Sequence, residues 1–386
     1  MAKGRTKKTA LSALDENGKP VDWWFAYKVP KMVKDATSLG AKGYEYFYYD
    51  PHIGKIIQSP YLFTDGRGAL DLTLDSVFDN PSATMGWILY NDEMPAEAKR
   101  ADAGSYGHTK GVIAFDTASR TAFWLLHSWP KFVDHKYSEM PTPQYGQTFL
   151  CISLDMATAG LIANQMANHQ EPQVYLPRIP ATLRKSDPLY MITQDVNPNA
   201  PGHSDVISIS SRGGQHFKVI AKNRKWGKDF WNDLVGPTLK ADLHVESWIR
   251  GKIPPTRDSD GIYKTFDVKY IDFTPLGFPF TWPETHDHAK WGITVKSDWI
   301  CVGDINRMIS QEKRGGGTIA FQHKKLWEAL SKTDLLIPPP GHSLKHAKTL
   351  IKSTHQSVHP RLQKSEQGSK PAKKKTAVKG GSKRKK

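Results

Sequence analysis

A mixed α/β (α+β) fold is predicted from three observations. Short β-rich runs recur along the chain, a few segments carry helical spacing, and one local layout occurs twice. The β-rich runs cover 83–90 (ATMGWILY), 111–115, 122–126, 148–154, 216–221, 291–295 and 299–302, with β-branched and aromatic residues prominent. Apolar residues at helical spacing predict helices over 155–168 (DMATAGLIANQMAN), 229–235 and 323–332. Breaks fall at 130–145 and at 195–202 (DVNPNAPG), and the second is the expected boundary between two halves.

The repetition is visible at two scales. Residues 146–180 and 214–250 both begin with Gly-Gln and run strand, helix, strand, the closing strands being QVYLPRIP and DLHVESWIR. A sharper echo starts at His108-Thr109-Lys110. Strand GVIAFD, turn TASRT and strand AFWLL follow, and then the polar pair His127-Ser128. His288-Ala289-Lys290 leads into strand WGITV, turn KSD, strand WICV and then Gly303-Asp304-Ile305-Asn306. Two copies of one layout imply two similar half-domains facing each other.

Composition bounds the remainder. With 386 residues, 38% of them hydrophobic, the chain can bury one large or two medium cores. No apolar run is long enough to span a membrane, and no apolar stretch follows the basic start, so neither a span nor a secretory signal is expected. Cys151 and Cys301 are too few for a disulfide scaffold or a Cys-rich zinc site.

The net charge of +16 is carried by the ends of the chain. Residues 341–386 hold 14 Lys and Arg against the single acid Glu366, and residues 1–10 add four basic groups. Residues 11–340 hold 36 basic and 37 acidic residues, so the body is nearly neutral. It also holds 11 of the 15 histidines, and acid below about pH 6.5 would make it strongly cationic and attractive to a polyanion. The 341–386 tail has no aromatic residue and cannot build a core. A solvated, flexible Lys-rich tail is expected there, and two roles fit it equally: additional polyanion binding, or keeping the chain soluble.

His-x-Lys occurs five times, at His108, His216, His288, His323 and His346. His346 lies in the tail, His323 opens a helix, and His216 lies in an ordinary strand; structural or solvated roles suffice for these. His108 and His288 differ because each pair enters an apolar hairpin that would hold it rigidly. In a strand, residues i and i+2 share a face, so His and Lys can address one anion together.

Two such pairs permit phosphodiester chemistry. The ammonium groups of Lys110 and Lys290 would clamp the non-bridging oxygens. One neutral imidazole attacks phosphorus to form a phosphohistidine, and the opposite imidazolium protonates the leaving oxygen and then activates water. His288 is expected as nucleophile and His108 as general acid. The lysines supply the positive charge, so no cofactor and no metal is expected. His286 and His288 lack a third ligand at convincing spacing. Trp124, Trp291 and Trp299 lie in apolar strands and are expected in the core. Trp129 and Trp282, in Pro-rich loops near the site, are candidates for DNA contact.

Several ordered motifs resemble the deoxyribonuclease II family: GKPVDWWFAYKVP (18–30), HTKG (108–111), LLHSWPKF (125–132), DHAKW (287–291) and CVGDINRMISQEKRGGGTIAF (301–321). The resemblance implies a phospholipase D-like pseudo-dimer, two sandwiched α/β halves with one active site between them. It also implies a metal-independent acid endodeoxyribonuclease that leaves 3′-phosphate and 5′-hydroxyl ends on DNA. His108, Lys110, His288 and Lys290 are the catalytic residues it implies. Asn306 and Asp304 stand in place of the superfamily's Asn element, and His127 and Ser128 occupy the corresponding place in the first half; these four are the expected substrate-binding residues. The superfamily's Asp after His-x-Lys is missing, since position 115 is Phe and 295 is Val, with Asp116 one residue late. Animal members enter lysosomes through a signal peptide that is not recognised here, and compartment is left unassigned.

The expected organisation is a flexible basic extension (1–17), a first half (18–199), a second half (200–340) and the tail (341–386). Two other functions fit parts of the pattern. A lipid phosphodiesterase would share the site but need an apolar tunnel instead of a DNA groove. A non-catalytic nucleic-acid-binding protein would depend on its basic tails.

Overall fold

Alternation of side chains across two large antiparallel sheets sets the layering. The computed structural model describes residues 10–31, 43–63, 65–95, 106–132, 144–194, 203–254 and 263–336. A short pair, β1 (Ala13–Leu14) and β2 (Pro20–Val21), precedes the first sheet. That sheet contains β3 (Trp23–Lys28), β4 (Tyr46–Tyr49), β5 (Ile57–Gln58), β6 (Met85–Asn91), β7 (Lys110–Asp116), β8 (Thr121–His127), β9 (Gln147–Asp155) and β10 (Val174–Arg178). Its strand order is β10-β6-β7-β8-β9-β3-β4-β5.

The second sheet takes β11 (Ser204–Ser210), β12 (His216–Lys222), β13 (Leu243–Ser247) and β14 (Thr265–Asp267). A small hairpin follows, β15 (Tyr270–Asp272) with β16 (Thr281–Pro283). The sheet is completed by β17 (Lys290–Thr294), β18 (Trp299–Gly303) and β19 (Gly316–Gln322), while β20 (Asp334–Leu335) joins β15. Its order is β11-β12-β19-β18-β17-β13-β14, and only β13 and β14 run parallel.

On β3, Trp23, Phe25 and Tyr27 enter a core shared with Phe217, Trp291, Ile300 and Phe321 of the second sheet. Trp24 and Ala26 point the opposite way, into a core under α1 (Ala69–Phe78). On the far face of the second sheet, Ile220, Val245 and Cys301 pack against Phe230, Trp231 and Val235. Each central strand is therefore covered on both faces, which is why it is almost continuously apolar. Full burial of each large side chain is worth roughly 1.5–3 kcal/mol.

All seven β-rich runs form strands, with ends within two residues of expectation. The 155–168 segment forms α2 (Met156–Gln165) and continues as a π-turn, Met166–Gln170. Asp155 starts it by accepting from Thr158 N at 2.6 Å. The short helix α3 (Pro188–Met191) follows. The 229–235 segment is a π-turn over Trp231–Val235 that leads into α4 (Gly236–Leu239), and Lys240 ends it in the left-handed region. His323 caps α5 (Lys324–Leu330) through its ring, which spends it structurally. Trp124 and Trp291 are buried as expected, with Trp299 half-buried at the rim.

The N-terminal extension needs correction. Residues 10–17 are not a flexible lead-in, because Leu11 and Ala13 are buried, and Ala13 N donates to Ser153 Oγ at 2.9 Å. Glu16 is also buried and accepts from Tyr46 Oη and Ser59 Oγ. Residues 1–9, the 195–202 boundary, most of the 130–145 break and the 341–386 tail lie outside the described residues. Among the described residues, no helix is long and apolar enough to cross a membrane.

Candidate active site

Each His-x-Lys pair stands where a loop enters the first strand of an antiparallel hairpin. Lys110 opens β7, which pairs with β8, and Lys290 opens β17, which pairs with β18. Both histidines are anchored by backbone bonds to remote segments: His108 N to Gly315 O at 2.8 Å, and His288 N to Gly146 O at 2.9 Å. The anchors demand glycine. A Cβ on Gly107 would meet Gln170 O at 1.8 Å, and one on Gly146 would meet Asp287 Oδ2 at 2.5 Å.

The first pair is held by charge. Asp92, just beyond β6, takes the Lys110 ammonium on Oδ1 and Arg314 on Oδ2 at 3.1 Å. His108 Nε2 lies 3.7 Å from Asp92 Oδ2. His108 Nδ1 is bonded to the Asp304 carbonyl at 2.5 Å and must donate there, so Nε2 is the nitrogen free for chemistry. Arg314 comes from the second half of the chain and also donates to the carbonyls of Tyr106 and Gly107. Burial would raise the Asp92 carboxyl, but Lys110, His108 and Arg314 hold it well below the usual range.

The second pair is held differently. Asp287, fully buried, accepts from Tyr27 Oη and Trp282 Nε1 at 2.6 Å each and from Ala289 N at 2.7 Å. This locks the turn that carries His288. Lys290 Nζ donates to the His288 carbonyl at 2.5 Å. The His288 ring stacks on Tyr145 and touches Trp248, and its buried Nε2 has no hydrogen-bond partner among the described residues.

The pairs lie within electrostatic range of one another. Burial pushes the His288 imidazole far down, and Lys290, Lys110 and His108 push it further. Burial and then Lys110 lower His108 well below its ordinary value, with Asp92 opposing and Lys290 adding to the effect. Lys290 is lowered to about 7 by burial and then by Lys110, while Asp92 and Asp304 act against this. Burial raises the Asp304 carboxyl well above its ordinary value, against the pull of both Lys110 and Lys290. The Asp304 carbonyl holds His108, and Asp304 follows β18, whose Val302 pairs with Trp291 next to Lys290, so this one residue lies between the two pairs.

The expected substrate-binding residues divide. Asp304 lies beside the pairs, its carbonyl bonded to His108 Nδ1, whereas Asn306 is buried two residues further on and its Oδ1 has no hydrogen-bond partner among the described residues. His127 and Ser128 are instead committed internally. His127 Nδ1 accepts from Trp129 N and its ring packs on Phe132, while burial and then Lys110 lower it to about 3. Ser128 Oγ donates to Gln147 Oε1 and accepts from Thr148 N. Trp129 and Trp282 are both 1% exposed and belong to the core, not to a DNA-facing surface. Asp116 accepts from Ser119 N in the β7–β8 turn, remote from this locus in the hairpin.

Sequence reasoning missed Asp92, Arg314, Asp287, Tyr145 and Trp248. Asp287 and Arg314 lay inside quoted motifs, but nothing local to Asp92 signalled its role. Among the described residues, no group of three or more His, Cys, Asp or Glu side chains is placed to hold a metal.

Two imidazoles, two ammonium groups and the buried Asp92 carboxylate thus lie within electrostatic range of one another. The chain belongs to the deoxyribonuclease II family, whose profile matches residues 12–337. It is 63% identical over 347 residues to the deoxyribonuclease-2 homologue of Burkholderia thailandensis, covering 90% of this chain and 99% of that one. Rat deoxyribonuclease-2-alpha is 33% identical over 327 residues, with 83% of this chain and 92% of that one covered. Plancitoxin-1 of Acanthaster planci is 30% identical over 335 residues, covering 84% and 92%. Among solved structures, yeast tyrosyl-DNA phosphodiesterase aligns at a TM-score of 0.32 and 11% identity, over 66% of this chain and 87% of that one.

Proposed function

We propose that this deoxyribonuclease II family enzyme cleaves DNA phosphodiesters without a metal, in acid, through a phosphohistidine at His288. The observation that carries the reading is the gathering of both His–Lys pairs around Asp304. The lysines clamp the non-bridging oxygens, supplying the charge stabilisation that a metal otherwise provides. His288 Nε2 attacks phosphorus as the P–O5′ bond breaks, and the His108 imidazolium delivers its Nε2 proton to the departing O5′. His108, now neutral, takes a proton from water, and the resulting hydroxide displaces His288 from phosphorus. The products are a 3′-phosphate and a 5′-hydroxyl. The two halves would be related as in the phospholipase D-like arrangement, with boundaries near 18–199 and 200–340.

The division of labour follows from the surroundings. His108 has a carboxylate 3.7 Å away, which favours its charged form once a substrate anion offsets the lysines. His288 has aromatic neighbours, which favour a neutral ring. Acid preference has a matching sign: a Lys290 lowered to about 7 is charged below that pH and loses its charge as the pH rises through it.

The test is plasmid nicking across about pH 4–8 with and without EDTA, end-group analysis of the fragments and trapping of the phosphoenzyme. Activity in EDTA at about pH 5, with label on His288, is the expected result. A strict divalent-cation requirement, or turnover of phosphatidylcholine without action on DNA, would sink it.

A further inference from the structure

Beside His288 lies a half-buried group whose only part in the two-pair chemistry is to border the imidazole. Tyr145 stacks on the imidazole with centroids 4.2 Å apart and planes 6° from parallel, and the Trp248 indole lies 3.8 Å away at 53°. Tyr145 and Trp248 are 5.9 Å apart, so the three centroids make a nearly right-angled triangle with His288 at the corner. The tyrosine covers the face of the imidazole, and the indole lies against its edge.

Arg250 sits over this platform, 5.0 Å from the Trp248 ring and 5.8 Å from Tyr145, and donates to Tyr145 Oη at 3.2 Å. Its side chain is exposed, and among the described residues no carboxylate lies within ion-pair distance of it. Arg307 and Arg314, by contrast, are spent on Asp229, Asp267 and Asp92. Tyr145 and Trp248 are only half-buried, and Trp248 Nε1–H has no acceptor among the described residues.

A half-buried indole, a guanidinium with no ion-pair partner among the described residues and an indole N–H without an acceptor there match a planar ring joined to a phosphate. We propose that Tyr145, Trp248 and Arg250 form a subsite for the nucleotide next to the attacked phosphate. This deepens the DNA-cleaving reading and rests on it. The base stacks on Trp248, and Arg250 leaves the indole for the neighbouring phosphate. Tyr145 keeps the His288 ring in place. A lipid head group has no planar ring to occupy the platform.

The test is a cycle that crosses single substitutions in the full chain with removal of the base from the substrate. Wild type, Trp248→Ala, Trp248→Phe and Arg250→Ala are compared on a short single-stranded oligonucleotide and on an abasic oligomer of equal length. Trp248→Ala should lose about ten- to hundredfold in kcat/KM on the intact strand, mostly through KM. It should lose little on the abasic strand, and Trp248→Phe should restore most of the loss. Arg250→Ala should raise KM on both strands and reduce the salt dependence. Equal losses on both strands would make Trp248 a mere support for His288, and unchanged cleavage would remove it from the site. Either outcome overturns the subsite. A wild type that cuts neither strand would instead overturn the phosphodiesterase reading, and the subsite with it.

Discussion

The two His–Lys pairs enter matching hairpins but sit in unlike surroundings. Around His108 the partners are ionic: Asp92 links Lys110, Arg314 and the imidazole edge, and the Asp304 carbonyl fixes Nδ1. Around His288 they are aromatic, and the nearby carboxyl of Asp287 is turned to Tyr27 and Trp282. A repeated layout thus supplies two copies of a His–Lys pair, while unrelated neighbours make them unequal. The phosphoryl transfer proposed above would use that inequality, with one ring accepting phosphorus while the other carries a proton.

The comparison is broken most severely at the rings. His288→Ala and His108→Ala should each reduce plasmid nicking by about 10⁴-fold or more, and the double variant should be hardly worse, because the two act as a unit. Only His288→Ala should also abolish the trapped phosphoenzyme. If His108→Ala alone removed that label, the two roles would have to be exchanged.

Next in size is the ionic cradle. Asp92→Asn removes the charge that favours the His108 imidazolium, so the alkaline limb of the pH–rate profile should move to lower pH. Activity near pH 6 should fall roughly 10- to 100-fold. The variant should also unfold at lower temperature, by about 3–5 kcal/mol in stability, because Lys110 and Arg314 lose a buried partner. An unmoved limb would show that Asp92 only supports the fold.

Asp287→Asn sharpens the contrast from the other side. It should cost about 1–3 kcal/mol in stability, and the limbs should move less than in Asp92→Asn, because Asp287 answers chiefly to Tyr27, Trp282 and Ala289. Thermal unfolding and a pH–rate profile read both quantities. The smallest effect belongs to the tail. Removing residues 341–386 should leave acid nicking within about twofold while reducing the salt dependence of DNA binding.

Much of this was legible in the chain because the strands advertise themselves. ATMGWILY, GVIAFD and WICVG are short, apolar and β-branched or aromatic, and all lie in sheets covered on both faces. The His-x-Lys pairs were legible because their hairpins repeat. Asp92 was not, since it follows β6 in sequence and reaches Lys110 only through the β6–β7 pairing, with Asn91 opposite Lys110. Trp129 and Trp282 misled because a Pro-rich context reads as surface, whereas both rings are sealed into aromatic clusters. Residues 10–17 misled for a similar reason: a polar, basic start hid Leu11 and Ala13, which pack only when Ser153 and Thr121 are brought to them.

Local pattern by itself determined the strands, the two His-x-Lys hairpins and the confinement of positive charge to the two ends, because each depends on residues adjacent along the backbone. Tertiary structure alone decided which imidazole has a carboxylate and which has aromatic rings. Those partners lie between 16 and 206 residues away along the chain for Asp92 and Arg314, and 143 and 40 residues away for Tyr145 and Trp248. Ionisation responds to distance through space, and no spacing along the chain encodes that.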